Sequence, residues 1–75
     1  ITVNLFTVES NISKELETIQ KKYSEFVEIG SYPFFRLGKI GVSVVSRSTS
    51  KSKLTFVKKD LMKIINLKKI KMLKT

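Results

Sequence analysis

The alternation of apolar and polar positions along the chain predicts three β-strands. Apart from a break at Phe6, residues 1–8 alternate apolar and polar side chains, a period typical of a strand. Residues 26–35 form a second apolar run, in which Pro33 removes a backbone donor and so favours a sheet edge or a bend. Residues 40–47 alternate again. The short Gly-containing link at residues 37–39 therefore predicts a hairpin between the second and third strands.

Two amphipathic helices are predicted on either side of this hairpin. The first follows Ser10 or Asn11, either of which can cap a helix with its side-chain oxygen, and the second follows Ser50 or Ser52. Each helix has an apolar stripe that a sheet must cover. The stripe of the first helix is Ile12, Leu16, Ile19 and Tyr23, and that of the second is Leu54, Val57, Leu61, Ile64 and Ile65.

The element order β-α-β-β-α predicts a small α+β domain, in which a mostly antiparallel three-stranded sheet has both helices packed on one face. We expect this single domain to span residues 1–67, followed by a Lys-rich C-terminal extension at 68–75. The extension fits a longer helix, an edge strand or a frayed end. Because the chain begins at Ile1 inside an apolar run, we expect it to be a fragment of a larger protein.

The residue types that are missing exclude most catalytic chemistry. The chain has no His and no Cys, so the common zinc ligands, thiolate nucleophiles and neutral-pH proton shuttles are absent. Its six carboxylates show no spacing that pairs two of them around a metal or a nucleophile. We therefore predict no catalytic and no metal-binding residue in the fragment. No apolar run approaches the roughly 18 residues of a membrane span, and a reducing, cytoplasmic location fits best.

The charge is concentrated near the C-terminus. The net charge is +9, and nine lysines lie within residues 51–74, opposed there only by Asp60. A basic helix can follow the phosphates of a nucleic acid, and Lys58, Lys59 and Lys63 are the candidate contacts. The alternative is a merely solvated helix face. We favour the solvated face, because nucleic-acid sites usually add Arg and interleaved aromatic residues.

Two further motifs have a functional and a structural interpretation. Tyr32, Phe34 and Phe35 could form a stacking platform for a base or a flavin ring, although aromatic residues on a small sheet more often belong to the core. Residues 38–41, Gly-Lys-Ile-Gly, match the loop with which KH domains clamp a nucleic-acid backbone. Because this segment lies between two predicted strands, a hairpin turn is the favoured interpretation.

One segment carries a family resemblance. Residues 27–35 read Val-Glu-Ile-Gly-Ser-Tyr-Pro-Phe-Phe and are followed by a turn and the strand at 41–50. This succession, with Gly-Ser-Tyr-Pro at 30–33, resembles the small domain that follows the molybdopterin-binding-like domain in the competence- and damage-inducible (CinA) family and in eukaryotic FAD synthases. The resemblance covers residues 1–65 and implies a KH-like or split β-α-β topology without the KH clamp.

The resemblance implies a non-catalytic accessory domain that orients or oligomerises a neighbouring nucleotide- or flavin-handling domain of the same chain. The parent protein would be a nucleotide or FAD pyrophosphatase or an FAD synthase, with FAD, molybdopterin or an ADP-ribose-type nucleotide as its ligand. None of the family's active-site residues has a counterpart here, so no cofactor is expected in the fragment itself. The alternative function is a nucleic-acid-binding, KH-like module that uses the Lys-rich helix.

Overall fold

The computed structural model describes residues 1–73 and contains one four-stranded antiparallel sheet and two helices. The strands are β1 (Thr2–Phe6), β2 (Glu28–Arg36), β3 (Lys39–Arg47) and β4 (Lys71–Met72), and the helices are α1 (Ser13–Lys22) and α2 (Lys51–Lys68). A short 3₁₀ helix, Glu9–Asn11, precedes α1.

The strands lie in the order β2-β3-β1-β4. In each β-α-β unit, a third strand is inserted between the two strands that the helix connects, which is the split β-α-β topology. The register pairs Leu5 of β1 with Val42 of β3 and with Met72 of β4. The two central strands are therefore β3 and β1, and β2 and β4 form the edges.

The core lies between one face of the sheet and both helices. Val3 and Leu5 of β1 face the helices together with Val42 and Val44 of β3, and all four are buried. The helices contribute five buried residues to the same cluster: Leu16, Ile19, Val57, Leu61 and Ile65. Both predicted apolar stripes thus meet the sheet on one face, as expected.

The prediction of three strands was too low, because β4 adds a fourth strand at the β1 edge. Lys69 ends α2 in the left-handed conformation (φ 54°), and the chain then reverses to pair with β1. Lys71 points outward while Met72 packs against the core. A strand of two residues is too short to show an alternating pattern. Residues 74 and 75 of the predicted extension lie outside the described residues.

The predicted caps were correct for one helix only. The Ser50 side chain accepts a hydrogen bond from the Lys53 backbone N–H at 3.3 Å, so α2 begins as predicted. Neither Ser10 nor Asn11 caps α1, whose N-cap position is Ile12. The 3₁₀ helix explains this difference, because Asn11 is its last residue and the Asn11 side-chain amide donates to Thr7 Oγ1 instead of capping α1.

The predicted β2–β3 hairpin is confirmed, and its two strands pair from Glu28 and Arg47 to Arg36 and Lys39. Arg36 pairs with Lys39, so only Leu37 and Gly38 form the turn, and both have positive φ, at 55° and 72°. Such two-residue turns require positive φ at both positions. Residues 38–41 therefore form a hairpin turn and the start of β3, and they do not join two helices.

Candidate functional site on the open face of the sheet

Within residues 1–73, no helix covers the face of the sheet opposite the core, which we call the open face. Side chains alternate along each strand, so the register places Phe6 of β1 on this face together with Tyr32 and Phe34 of β2. Tyr32 is 55% exposed, and the two phenylalanines are half-buried. Three aromatic side chains from two different strands are therefore collected on a surface that the fold leaves open.

Two glycines determine how these rings lie. A Cβ atom built on Gly41 would stand 2.2 Å from Cζ of Phe34, so this ring lies directly over the Gly41 backbone. The ring thereby reaches across β3 to Phe6, and the two ring centroids are 6.1 Å apart in an edge-to-face arrangement. The Tyr32 side chain lies against Gly30 of its own strand, with its hydroxyl oxygen 2.9 Å and its ring atom Cε2 3.1 Å from the position of the missing Cβ.

Positive charge surrounds the aromatic group. Arg36, Lys39, Arg47 and Lys71 belong to the open face by register, whereas Glu28 is its only acidic residue within the described part of the chain. The Lys39 ammonium lies 5.5 Å from the Phe6 ring centroid, within the range of a cation–π interaction. The open face therefore combines exposed aromatic rings with basic groups at both sides.

A small recess lies beside Phe34. It has a volume of about 140 Å³ and is lined by Asn4, Phe34, Arg36, Ser43 and Leu73. The Ser43 hydroxyl donates to Asn4 Oδ1, which fixes both polar groups in the recess. Ligand cavities that enclose a drug-sized molecule are typically about 300–1,000 Å³. This recess is smaller, so the open face offers shallow contacts along its length.

The structure separates the three aromatic residues that the sequence suggested as a stacking platform. Tyr32 and Phe34 share the open face, whereas Phe35 points to the opposite side and is 71% exposed near the hairpin turn. Phe6, Arg36 and Lys39 were not among the predicted site residues. Phe6 was visible in the sequence as the apolar residue that breaks the alternation of the first strand, which is the expected mark of an aromatic residue on the outer face.

The predicted lysine site lies elsewhere. Lys58, Lys59 and Lys63 are all exposed on α2, on the side of the sheet opposite the open face. Among residues 1–73, none of the three forms an ion pair or a cation–π contact. The two aromatic rings near the start of α2, Phe26 and Phe56, contact Lys53 instead, at 4.7 and 5.8 Å.

The Gly-Ser-Tyr-Pro segment protects the outer edge of β2. Gln20 of α1 donates to the Val27 carbonyl at 2.8 Å and accepts from the Ile29 N–H at 2.7 Å, which occupies the start of this edge. Because outward-facing backbone groups alternate, Pro33 falls at an outward position and leaves no donor there. The Ser31 hydroxyl donates to Glu9 at 2.9 Å. These contacts reduce the ability of β2 to pair with another strand.

Ion pairs connect the ends and the middle of the two helices. The Lys22 ammonium and the Tyr23 hydroxyl both contact Asp60 Oδ2, at 3.3 and 3.0 Å. The hydrogen bond to Asp60 raises the pKa of Lys22. The Lys68 ammonium lies 2.7 Å from Glu15 Oε2, and this close contact with Lys68 lowers the pKa of Glu15 below its ordinary value. The charged forms of Lys22 and Glu15 are therefore favoured, and these contacts join the two helices.

The carboxylates are too dispersed to form a metal site. Within the described residues, no group of three or more His, Cys, Asp or Glu side chains could hold a metal ion. Among the same residues, no helix has the length and apolar character required to span a bilayer.

Comparison with protein families identifies the domain. The family model described as FAD synthase, middle domain, matches residues 1–74. Because the match covers nearly the whole chain, the chain belongs to the FAD synthase middle-domain family. Searches of curated proteins and of solved structures gave no significant match.

Proposed function

We propose that this domain is a non-catalytic accessory domain of an FAD-synthase-type protein, and that it orients or oligomerises the neighbouring nucleotide- or flavin-handling domain. The observation that carries the proposal is the match over residues 1–74 to a family described as a middle domain of FAD synthase. The parent chain would bind FAD, molybdopterin or an ADP-ribose-type nucleotide in a preceding molybdopterin-binding-like domain, as in CinA relatives, and would act in the cytoplasm.

The positions of the two chain ends support a contact at one end of the domain. Ile1 exchanges hydrogen bonds with Ser46 at the end of β3, next to the start of α2. At the other terminus, β4 runs antiparallel to β1, and the Leu73 N–H donates to Asn4, so this segment also heads toward the Ile1 end. A domain joined to either terminus would therefore lie at this end, away from the hairpin turn.

An exposed aromatic pair lies at the same end of the domain. Phe26 and Phe56 are 51% and 46% exposed, and the Lys53 ammonium is located between their rings. We call Phe26, Lys53 and Phe56 the end patch. Exposed aromatic residues beside a cation are common anchors of protein interfaces. The end patch is thus the surface that supports contact with a neighbouring domain.

The test uses the full natural polypeptide that carries this domain. A Phe26→Asp variant places a charge in the end patch, and we expect FAD formation or the oligomeric mass to fall, because a buried unpaired charge opposes the contact. The matched control is Leu37→Asp, which introduces the same charge at the opposite end, where Leu37 is 80% exposed. Steady-state rates and light scattering measure the two effects. The proposed role would be contradicted if both variants lowered the rate or the oligomeric mass equally, or if neither variant changed them.

A further inference from the structure

The open face has a feature that an accessory role does not require, which is a set of pre-oriented aromatic rings with cations on both sides. The Cζ–Cε1 edge of the Phe34 ring lies against the Gly41 backbone, and the hydroxyl end of the Tyr32 ring lies against Gly30, so both rings are held on the open face. From this geometry we infer that the open face binds single-stranded nucleic acid, with unpaired bases stacked on Tyr32 and Phe34.

The charges on this face support an anionic partner. Four basic residues and one acidic residue belong to the open face by register: Arg36, Lys39, Arg47, Lys71 and Glu28. Arg36 and Lys39 are neighbours across the hairpin and are both exposed, directly beside Phe34 and Phe6. Phosphates that connect two stacked bases can therefore meet a guanidinium and an ammonium at one end of the aromatic group.

The spacing and the flatness of the site favour a polymer. Tyr32 and Phe34 are two residues apart on one strand, so their Cα atoms are separated by about 7 Å. Each ring can hold its own base, and stacking tolerates any base because every base has a π face. The recess beside Phe34 has a volume of about 140 Å³, which is too small to enclose a whole nucleotide. Several shallow contacts along a strand fit this surface better than one enclosed ligand.

A protein partner is the competing occupant, and the composition of the face opposes it. The open face has two aliphatic side chains by register and alternation, Val45 and Leu73. Both are half-buried. Interface centres are typically depleted in charge. The open face instead carries charges next to its rings, which is typical of single-strand binding surfaces.

The site also differs from the lysine face of α2. Among residues 1–73, the α2 lysines have no aromatic partner other than those of the end patch, whereas on the open face the Lys39 ammonium lies 5.5 Å from the Phe6 ring centroid. Charge attraction alone does not distinguish single strands from duplexes of the same length, but base stacking does, since it needs unpaired bases. Strand form is therefore the property that separates the two surfaces.

The test measures fluorescence anisotropy of labelled single-stranded and duplex oligonucleotides with the 75-residue chain, at roughly 0.15 M ionic strength. We expect single strands to bind more tightly than the roughly 10⁻⁴–10⁻⁶ M of sequence-independent charge attraction, and about tenfold more tightly than duplexes. Tyr32→Leu should weaken single-strand binding about fivefold or more, because the ring is lost, and Tyr32→Phe should retain it.

Two charge-reversal variants change the net charge equally and compare the two surfaces. Arg36→Glu/Lys39→Glu should reduce single-strand affinity at least about tenfold, because two phosphate contacts are lost and reversed. Lys58→Glu/Lys59→Glu should reduce it much less, since these residues lie on the other side of the molecule. Circular dichroism of every variant checks that the fold is kept, and Tyr32→Leu is informative even if a charge variant unfolds.

Several results would overturn the inference. Equal losses from both charge variants, or equal affinity for single strands and duplexes, would assign any binding to general charge attraction. If an equimolar mononucleotide displaced the oligonucleotide, the open face would be a site for a small ligand and not for a polymer. Absence of oligonucleotide binding, together with a Tyr32→Leu effect on oligomeric mass, would make the open face a protein contact.

Discussion

The two faces of the sheet use the same strands for different purposes, and β3 shows the contrast most clearly. Val42, Val44 and Ser46 point toward the helices and are at most 1% exposed. Ser43 and Val45, between them in sequence, point to the open face and remain half-buried. The buried side chains that the central strands direct to the helices are aliphatic except for Ser46, whereas the open face carries aromatic rings, polar groups and cations.

This contrast suggests that stability and recognition are placed on opposite sides of one layer. A domain of 75 residues removes only about 60% of its unfolded surface from water, so each buried side chain matters. The side chains of the helix-covered face are needed for this burial. The side chains of the open face contribute less to it, so they are free to bind a partner with little loss of folding free energy.

The largest expected effect comes from the inner side. Leu16 of α1 is 8% exposed and belongs to the core cluster. Leu16→Ala should lower the free energy of unfolding by about 2–5 kcal/mol, because it removes buried methyl groups and leaves a cavity. Urea denaturation measures the change. Glu17→Ala, on the exposed side of the same helix, is the control and should cost well under about 1 kcal/mol. A loss as large as that of Leu16→Ala would contradict the view that stability comes from the helix-covered face.

A pair of serines on β3 should respond in opposite directions. Ser46 is 1% exposed, and its hydroxyl has no hydrogen-bond partner within the described residues. Ser46→Ala should therefore raise the free energy of unfolding by about 1 kcal/mol. Ser43→Ala removes the hydrogen bond to Asn4 on the open face and should lower it by about 0.5–1 kcal/mol. Thermal melts of both variants measure the direction of each change in stability. A change in the same direction for both variants would show that the two faces do not differ in this way.

The smallest expected effect is pH-dependent and lies on the helix layer. Lys68 lowers the pKa of Glu15 in the folded chain below its ordinary value of 4.5. The contribution of this carboxylate to stability is thus present above pH 4.5 and is lost as the pH falls through the lowered folded pKa. Glu15→Gln should remove at most about 1 kcal/mol at neutral pH and flatten the acid limb of the stability profile. Glu25→Gln, an exposed carboxylate without an ion pair among residues 1–73, is the control.

Much of the fold could be predicted because its elements are long and periodic. The apolar stripes of α1 and α2, the hairpin and the Ser50 cap follow from spacing and local chemistry. The fourth strand could not, because Lys71 and Met72 are too few to show a period, and only the pairing of Met72 with Leu5 reveals it. The cap of α1 was missed because the 3₁₀ helix that precedes α1 places Ile12 at the N-cap position.

The candidate site was partly within reach of the sequence. Phe34 and Phe35 are adjacent in a strand and must point to opposite faces, which already excluded a platform that contains both. Which of them faces outward depends on the register with β3. The contact between Phe34 and Phe6 depends on Gly41, which removes the side chain between them. Such a three-strand relation has no linear signature, so the sequence marks Phe6 by its break in the alternation, but the grouping of Phe6 with Arg36 and Lys39 is seen only in the fold.

The central claim is that the inner face stabilises the fold and the open face is free for recognition, and two adjacent valines on β3 test it most directly. Val44 is 0% exposed, and Val45 is half-buried on the other side. Urea unfolding of Val44→Ala and Val45→Ala compares the same change on the two faces. The expected loss is about 2–3 kcal/mol for Val44→Ala and under about 1 kcal/mol for Val45→Ala. Equal losses would mean that the open face is as tightly packed as the core and would contradict the claim.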